Sequence, residues 1–233
     1  MLTATIATHS ESVEPFLAPL PALGTFAQGL THTATRVVEN KEHIYYEGDP
    51  ATHVFKVEAG HVCVYRIYAN GRRQIIDFAF PGDFVGLGEF GQYTTNAQAT
   101  ERTRLRCLPV SALQQLVRDE PELGLALYQA LSCELLASRE HLVSVSQRSA
   151  SERLAAFLVA LSQRNVRCGE NATDIVLPMT RADIGDFLGL TIETVSRTLS
   201  KFRAKGLIDL EQCILVTIRD IDVLSEIAEG SSA

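Results

Sequence analysis

The sequence predicts an α+β fold in which a β-roll is followed by a long helix and a winged helix-turn-helix. Between about residues 31 and 110, turn signals recur about every 10 to 12 residues, which is typical of short antiparallel strands. From about residue 110 the apolar residues follow a helical period instead. Near the C-terminus, two short helical segments precede a hairpin, which is the element order of a winged helix-turn-helix. With 233 residues, the chain can hold more than one domain.

Residues 31–110 are predicted to form a small all-β roll or jelly roll. Segments such as VCVYRIY and QIIDFAF are rich in β-branched and aromatic residues, and the turn sequences YANGRR and AFPGDFVG lie beside them. Asn70-Gly71 is a strong signal for a two-residue hairpin turn, because both residue types tolerate positive φ. Residues 1–30 are predicted to be a polar tail with a Pro-rich end, only partly ordered at its start.

Residues 111–147 are predicted to contain a short helix, a break near Pro121 and Gly124, and a long helix of over 20 residues. The apolar residues of this segment follow one stripe: Leu116, Leu123, Leu127, Leu131, Leu135, Leu142 and Val145. The stripe could pack against the roll of the same chain. A long helix with apolar residues at steps of 3, 4 and 7 more often packs on a second helix, so we favour a homodimer. Its predicted interface residues are Leu123, Leu127, Leu131, Leu135 and Leu142.

Residues 148–233 are predicted to form the winged helix-turn-helix. The helical segments TRADIGDFL and TIETVSRTLSKFRAK are separated by Gly189, and LIDLEQCILVTIRD is predicted to be a hairpin of two short strands. Asp183 lies three residues after Thr180, an arrangement similar to a capping box at the start of the first helix. Thr191 is the expected N-cap of the second helix, and Gly206 its expected C′ residue.

The charge is unevenly distributed along the chain. The net charge is −7, but residues 148–206 hold 9 Lys/Arg against 6 Asp/Glu, a balance of +3. Residues 1–147 hold 11 against 16, and residues 207–233 hold 1 against 6. Because phosphate binding needs a local basic patch rather than a basic whole, the acidic total does not exclude nucleic acid as a partner.

The second helix of this motif has two different faces. Val195, Leu199 and Phe202 form an apolar face, and Glu193, Ser196, Arg197 and Ser200 form a polar face on the other side. In a major groove, arginine binds guanine O6 and N7, and a carboxylate accepts from base amino groups. Lys201, Arg203 and Lys205 would neutralise phosphates. The alternative is an ordinary exposed helix with a Glu193–Arg197 ion pair.

The segment LPMTRADIGDFLGLTIETVSRTLSKFRAKGLI resembles the DNA-binding segment of the CRP/FNR superfamily of bacterial transcription regulators. The pattern Glu-x-x-Ser-Arg at 193–197 is similar to that of the FNR and FixK branches. The resemblance extends over nearly the whole chain and implies that the roll is of the cyclic-nucleotide-binding type. It also implies a homodimer with paired long helices, a palindromic double-stranded DNA site with TTGA and TCAA half-sites, and transcription activation through RNA polymerase.

The same resemblance implies roles for individual residues. Arg197 would read the guanine, Glu193 the C or A on the opposite strand, and Ser196 the adjacent T. Contacts to the DNA backbone are expected from Thr180, Arg181, Thr191, Ser200, Lys201, Arg203 and Lys205.

Two departures from the family narrow the expected function. The FNR branch holds an iron–sulfur cluster through N-terminal cysteines, but the first cysteine here is Cys63, inside a predicted strand. The cyclic-nucleotide branch places Arg-Ser or Arg-Thr before an Ala to bind the cyclic phosphate, where this chain has Thr95-Asn96-Ala97. No cofactor and no cyclic AMP response are therefore expected. This combination is what FixK-like regulators have, which implies control of genes for low-oxygen respiration or nitrogen fixation.

The remaining residues suggest neither a metal centre nor catalysis. Five cysteines without a close pair and six histidines without HxH or HxxxH spacing argue against a metal site, and no nucleophile–base pair is apparent. A jelly-roll enzyme is therefore a remote alternative. Two forms of control stay open: an unidentified small-molecule effector, and redox chemistry at Cys133, Cys168 or Cys213. Without a signal peptide or a long apolar run, a cytoplasmic protein with no membrane partner is expected.

Overall fold

The structure is a computed structural model that describes residues 33–89, 91–211 and 214–230. The predicted tail, residues 1–30, and Cys213 lie outside these ranges. The N-terminal region contains the strands β1 (Ala34–Val38), β2 (His43–Tyr45), β3 (His53–Ala59), β4 (Val62–Ile67), β5 (Arg73–Ala79), β6 (Phe84–Val85), β7 (Asn96–Ala99) and β8 (Thr103–Pro109). They form two four-stranded sheets, in the orders β1-β8-β3-β6 and β2-β7-β4-β5, whose neighbouring strands are antiparallel. The predicted β-roll is confirmed.

Aromatic and β-branched side chains fill the interior between the two sheets. Val57 and Leu105 are fully buried there. Tyr45 and Tyr93 stack with ring centroids 3.7 Å apart and an interplanar angle of 10°. Alternate residues of each strand point inward, so the period-2 pattern of the sequence places these side chains in one apolar cluster.

The hairpin between β4 and β5 differs in detail from the predicted two-residue turn. Its loop has five residues, Tyr68 to Arg72, and the Tyr68 N–H donates to the Arg72 carbonyl at 2.9 Å. Gly71 has a φ of 78°, whereas Asn70 does not adopt a positive φ. The Asn70 side chain instead accepts the Arg72 N–H at 3.0 Å, so the carboxamide stabilises the turn locally.

Two helices follow the roll, and a third begins the C-terminal region. Helix α1 (Val110–Asp119) ends before Glu120, α2 (Pro121–Gln147) spans 27 residues, and α3 (Ala150–Arg167) follows. Pro121 occupies the start of α2, where its missing N–H costs nothing, while Gly124 lies inside the helix and not at the break. Among the described residues, no helix combines the length and the apolarity that crossing a membrane requires.

The C-terminal region has the element order predicted for a winged helix-turn-helix. Its elements are β9 (Asp174–Val176), α4 (Arg181–Leu188), α5 (Ile192–Ala204), β10 (Ile208–Glu211), β11 (Leu215–Ile218) and α6 (Ile221–Ala228). Strands β10, β11 and β9 form an antiparallel sheet in that order. The predicted hairpin is thus present as β10 and β11, and the α+β class is confirmed.

The roll and the C-terminal region share one apolar cluster. Tyr65, Ile75 and Phe78 of the β4–β5 pair belong to the same buried cluster as Phe157 of α3 and Phe187 of α4. The rings of Phe78 and Phe187 meet edge to face at 5.4 Å. This sheet therefore buries apolar residues against the helix-turn-helix as well as against the roll interior.

A buried ion pair lies at the same boundary. Arg164 of α3 donates to Asp83 at 3.0 Å, and its guanidinium lies 4.6 Å from the Phe80 ring centroid. Arg164 is 4% exposed, so water contributes little to its solvation. Burial raises the pKa of Asp83, and the charge of Arg164 opposes that rise.

We expect Arg164→Leu to lower the free energy of unfolding by about 3–5 kcal/mol, because it leaves the Asp83 carboxylate buried without its partner. Urea denaturation measures the change. Adding Asp83→Asn to Arg164→Leu is expected to recover part of the loss. The control is Arg219→Leu, whose exposed pair with Asp209 is expected to contribute less than about 1 kcal/mol. Equal losses for Arg164→Leu and Arg219→Leu would contradict this role of the buried pair.

Candidate nucleic-acid interface

Helix α5 buries one face and exposes the other, as its sequence pattern predicts. Val195, Leu199 and Phe202 are at most 1% exposed and pack in the cluster shared with the roll. The polar face, Glu193, Ser196, Arg197 and Ser200, is exposed along its whole length. The helix therefore presents a row of hydrogen-bonding side chains from a rigidly packed base.

Both ends of α5 have the predicted caps. The Thr191 hydroxyl accepts the Thr194 N–H at 3.2 Å, which satisfies one unpaired donor of the first turn. At the other end, Gly206 follows Lys205 with a φ of 71°, the left-handed conformation that ends many helices. The Thr191 cap and the left-handed Gly206 therefore fix where the helix, and with it the exposed face, begins and ends.

The charged side chains of α5 point to solvent. Arg197, Lys201, Arg203 and Lys205 are all exposed, and within the described ranges none of the four forms an ion pair. The Glu193–Arg197 pair of the alternative interpretation is accordingly not formed. The backbone N–H of Glu193 and the Thr191 hydroxyl lower the pKa of the Glu193 carboxyl. At neutral pH the face carries a carboxylate and a guanidinium, each available to another molecule.

The N-terminus of α4 is formed by a capping box. The Thr180 hydroxyl accepts the Asp183 N–H at 3.1 Å, and Asp183 accepts the Thr180 N–H at 3.0 Å and its hydroxyl at 2.7 Å. The local pairing of Thr180 and Asp183 is therefore confirmed. Arg181 is half-buried, and the Ser200 hydroxyl donates to the Ser196 carbonyl at 2.9 Å. The backbone contacts expected of these residues stay predictions.

The turn between α4 and α5 is too tight for a side chain at one position. A Cβ on Gly185 would lie 2.7 Å from the Leu190 carbonyl oxygen, closer than real Cβ atoms approach backbone. The Leu190 N–H donates to the Gly185 carbonyl at 2.8 Å, and Gly189 has a φ of 65°. Because these contacts join the two helices directly, α4 and α5 form a single rigid unit.

The roll contacts this unit through the start of β5. Arg73 donates to Asp183 at 3.0 Å, and the Gln74 side chain donates to the Asp186 carbonyl. Asp183 therefore serves two partners, one in its own helix and one in the roll. We call these two bonds the hairpin contact.

The long helices contact α4 from two other directions. The His141 ring of α2 stacks on Phe187 with centroids 4.3 Å apart, and burial lowers the pKa of His141. Arg153 of α3 donates to the Leu188 carbonyl at 3.1 Å and also to the Arg148 carbonyl at 2.8 Å. Arg153 thus links the end of α4 to the junction between α2 and α3.

No motif or spacing in the sequence marks the four residues that contact α4 from outside the motif: Arg73, Gln74, His141 and Arg153. Arg73 and Asp183 are 110 positions apart, so no local spacing relates them. The only sequence signal is that Arg72 and Arg73 follow a turn, which predicts a hairpin but not what the hairpin contacts.

The five predicted interface leucines of α2 fall into two groups, one buried within the chain and one exposed. Leu123 and Leu127 are 2% and 9% exposed and pack against Leu108 and the α1 side chains of the same chain. Leu131, Leu135 and Leu142 are 38%, 52% and 69% exposed. For Leu123 and Leu127 the dimer prediction is therefore wrong. The reason is that residues four apart advance by about 40° around an α-helix, so the stripe winds from the roll side to the outer side.

An exposed apolar face runs along the outer side of α2. It consists of Leu125, Tyr128, Leu131, Leu135, Leu136, Leu142 and Val143. Three of its members, Tyr128, Leu135 and Leu142, recur at seven-residue steps, the period of paired helices. We call this surface the leucine face.

The described cysteines differ in environment. Cys63 is buried, which raises the pKa of its thiol to about 12, while Cys107 and Cys133 are half-buried and Cys168 is exposed. Cys213 lies outside the described residues. Across the described part of the chain, no cluster of three or more His, Cys, Asp or Glu side chains is arranged to hold a metal ion.

Comparison with known proteins decides the family. Residues 35–120 match the profile of the cyclic nucleotide-binding domain, and residues 152–227 match that of the Crp-like helix-turn-helix domain. The nitrogen fixation regulation protein FixK of Azorhizobium caulinodans is 36% identical over 189 residues, which cover 81% of this chain and 76% of that protein. The chain belongs to the CRP/FNR family of transcription regulators.

Two further relatives bear on the branch within the CRP/FNR family. The structure of FixK2 from Bradyrhizobium japonicum matches with a TM-score of 0.79 and 32% identity, covering 84% of this chain and 96% of that one. The anaerobic regulatory protein of Haemophilus influenzae is 34% identical over 192 residues, covering 82% of this chain and 74% of that protein. FixK2 and the FixK protein of Azorhizobium caulinodans support the FixK-like branch, and the anaerobic regulatory protein supports the CRP/FNR family as a whole. In this CRP/FNR regulator, the helix-turn-helix of α4 and α5 is the DNA-binding element.

We expect Gly185→Ala to destabilise the regulator by about 1–3 kcal/mol, because the added Cβ collides with the Leu190 backbone. The displaced α5 should also bind DNA more weakly. Urea denaturation and DNA titration measure the two effects.

The matched control for Gly185→Ala is Gly124→Ala, another glycine inside a helix. There the added Cβ meets only a side-chain atom, Val117 Cγ1, at 3.2 Å. Because alanine favours helices over glycine by about 1 kcal/mol, Gly124→Ala should not lower stability appreciably. Equal effects of the two substitutions would contradict the close packing of the turn.

Proposed function

We propose that this regulator binds palindromic double-stranded DNA as a homodimer, with half-sites resembling TTGA and TCAA, and activates transcription from it. The observation that carries the proposal is the exposed polar face of α5, which holds Glu193, Ser196 and Arg197 on a buried apolar base. A helix of this kind fits the major groove, with side chains directed at base edges.

Three of the four residues of the polar face would each read a different base of a half-site. The Arg197 guanidinium has the donor geometry to bind guanine O6 and N7 together. Glu193 would accept from an amino group of C or A on the opposite strand, and Ser196 would contact the adjacent T. A carboxylate near polyanionic DNA lowers affinity unless it binds a base donor, so Glu193 fits a role in sequence discrimination.

The remaining polar groups of the motif would hold the DNA backbone. Lys201, Arg203 and Lys205 extend the exposed row beyond the base-reading residues and carry charges suited to phosphate. Thr180, Arg181, Thr191 and Ser200 are the other proposed backbone contacts, although the hydroxyls of Thr180 and Thr191 already serve as helix caps.

The leucine face supplies the surface for the homodimer. Fully burying one leucine contributes about 1.5–3 kcal/mol, so several exposed apolar residues on one helix favour pairing with a second copy. A palindrome requires two recognition helices about 34 Å apart, which one chain with one helix-turn-helix does not provide. Leu131, Leu135 and Leu142 would contact their equivalents across the pair.

The roll supports a regulator without cyclic AMP. Thr95 stands at the position where cyclic-nucleotide binders have arginine, and the next residue, Asn96, is buried and hydrogen-bonds the Glu47 N–H and the Tyr65 carbonyl. Neither residue carries a charge to pair with a cyclic phosphate, and residues 86–99 contain no Lys or Arg. The stacked Tyr45 and Tyr93 rings occupy the interior of the roll beside it.

The cysteine positions support a regulator without an iron–sulfur cluster. No cysteine precedes Cys63, which is buried in β4 with a pKa raised to about 12. Thiolate, not thiol, is the form that binds iron. The relatives named for nitrogen fixation and anaerobic regulation support target genes of low-oxygen respiration or nitrogen fixation. Activation of these genes would proceed through contact with RNA polymerase.

Effector control is the second candidate, and a cleft of about 450 Å³ between β5, α2 and α4 favours it. Asp77, Glu134 and His141 line this cleft together with apolar side chains. Burial raises the pKa of Asp77 to about 8, and the neighbouring carboxylates Asp83 and Glu134 add to the rise. DNA titration with and without a metabolite extract tests this candidate. A titration of reduced and oxidised protein likewise tests redox control through the exposed Cys168.

We expect Arg197→Ala to lose about 1–3 kcal/mol of binding free energy per half-site and to relax the preference for the guanine. The measurement is a titration against TTGA palindromes and against versions with that base pair changed, without added ligand.

Lys201→Ala provides the comparison for Arg197→Ala, because a lost phosphate contact weakens binding to all sequences alike. If Arg197→Ala also weakened all sequences equally, Arg197 would be only a phosphate contact. If wild-type protein bound the palindrome no better than scrambled DNA, the proposed function would fail.

We expect Leu142→Glu to convert the dimer to monomers, because it places a charge within an apolar contact. Analytical ultracentrifugation measures the oligomeric state, and affinity for the palindrome should fall with it. Val166→Glu is the matched control, since Val166 is also an apolar residue exposed on a helix, at 58%, but lies outside the leucine face. A dimer that survives Leu142→Glu as well as Val166→Glu would contradict the proposed interface.

A further inference from the structure

The hairpin contact joins the roll to the first helix of the DNA-binding motif, and one of its two partners there is Asp183 of the capping box that starts this helix. Asp183 uses Oδ2 for the Thr180 N–H and hydroxyl, and its Oδ1 accepts from the Arg73 guanidinium at 3.0 Å. The carboxylate is largely shielded from water, with 15% of its side chain exposed. A second bond, from Gln74 to the Asp186 carbonyl, lies one helical turn further along α4.

The roll holds the Arg73 side chain in place from its own side. The guanidinium donates to the Cys63 sulfur at 3.1 Å and lies 4.6 Å from the centroid of the Tyr65 ring. Arg73 is therefore ordered by β4 before it meets Asp183. Less conformational entropy is lost when a group held in this way forms its ion pair, so the contact fixes geometry effectively.

A displacement of α4 at Asp183 is expected to move the recognition helix α5 with it. The tight turn at Gly185 and Leu190 makes α4 and α5 one rigid unit. In the arrangement held by the hairpin contact, the base-reading face of α5 is exposed and free of the roll. The contact is thus compatible with DNA binding and fixes the direction in which α5 points.

We infer that Arg73 is a positioning residue for DNA recognition: through Asp183 it sets the orientation of α5, and so the separation of half-sites that the dimer accepts. The inference rests on the proposed homodimer and palindrome. In a two-fold symmetric dimer, any rotation of the motif occurs in both subunits. Each rotation displaces one recognition helix, so the two displacements add up in the distance between the two helices. Contacts within each half-site are made by α4 and α5 together as one rigid unit, so their geometry does not depend on Arg73.

The test uses full-length dimeric protein and a series of duplexes whose TTGA and TCAA half-sites are moved apart or together one base pair at a time. A duplex with one half-site scrambled measures binding by a single subunit. The variants are Arg73→Gln, Arg73→Lys and Gln74→Ala. Arg66→Gln is the control, because Arg66 forms a comparable ion pair with Glu47 at 2.8 Å within the roll.

For Arg73→Gln we expect affinity at the preferred spacing to fall about five- to tenfold, which is at the low end of the effects that one site in a protein typically has on another. Affinity for the single half-site should stay unchanged. The dependence on spacing should become flatter. Gln74→Ala should likewise flatten the dependence of affinity on half-site spacing. Arg73→Lys should keep much of the wild-type dependence, because lysine keeps the charge. Arg66→Gln should bind with the same spacing dependence as the wild type.

An unchanged spacing profile in Arg73→Gln would overturn the inference while leaving the proposed function intact. An equal loss on the palindrome and on the single half-site would also overturn it, because Arg73 would then act on the integrity of α4 rather than on orientation. If the wild type itself bound the palindrome no better than scrambled DNA, the proposed function would fail and this inference with it.

Discussion

Helix α4 is confined from three directions, and the orientation of the recognition helix depends on that confinement. Arg73 of the roll contacts its first turn, His141 of α2 stacks on Phe187 within it, and Arg153 of α3 binds the carbonyl at its end. Since α4 and α5 meet through a turn without room for a Cβ at Gly185, a helix confined in this way directs its neighbour too. The eight residues of α4, Arg181–Leu188, are consequently the part of the DNA-binding motif on which the contacts from the roll and from the long helices converge.

The boundary between the roll and the DNA-binding region combines two kinds of interaction with different effects. The apolar cluster around Phe78 and Phe187 supplies stabilisation, but hydrophobic burial has little directional preference. The ion pairs Arg164–Asp83 and Arg73–Asp183 add direction, because each requires one geometry to offset the desolvation of its charges. A boundary of this composition tolerates small shifts in packing less well than an apolar one would.

Features that depend on a few neighbouring residues could be predicted from the sequence, and features that depend on distant partners could not. The faces of α5, the Thr180–Asp183 capping box and the left-handed Gly206 follow from periodicity and local hydrogen bonding, and all are present. The contact of Arg73 with Asp183 crosses 110 positions, and no pattern in either segment indicates the other. Asn70 shows an intermediate case: the sequence predicts a turn there, but the loop has five residues, and the Asn70 side chain accepts the Arg72 N–H instead of adopting a positive φ.

The stripe of α2 illustrates why a correct period can still give a wrong partner. Apolar residues at four-residue steps turn by about 40° each time, so Leu123 and Leu135 differ by about 120° in direction. A linear sequence lists them as one set, although the first packs on the roll and the second faces outward. From Leu135 to Leu142 the step is seven residues, and the direction changes by only about 20°. Tyr128, Leu135 and Leu142, which follow one another at this step, are all exposed, so the seven-residue step, more than the leucine content, marks the residues suited to a second helix.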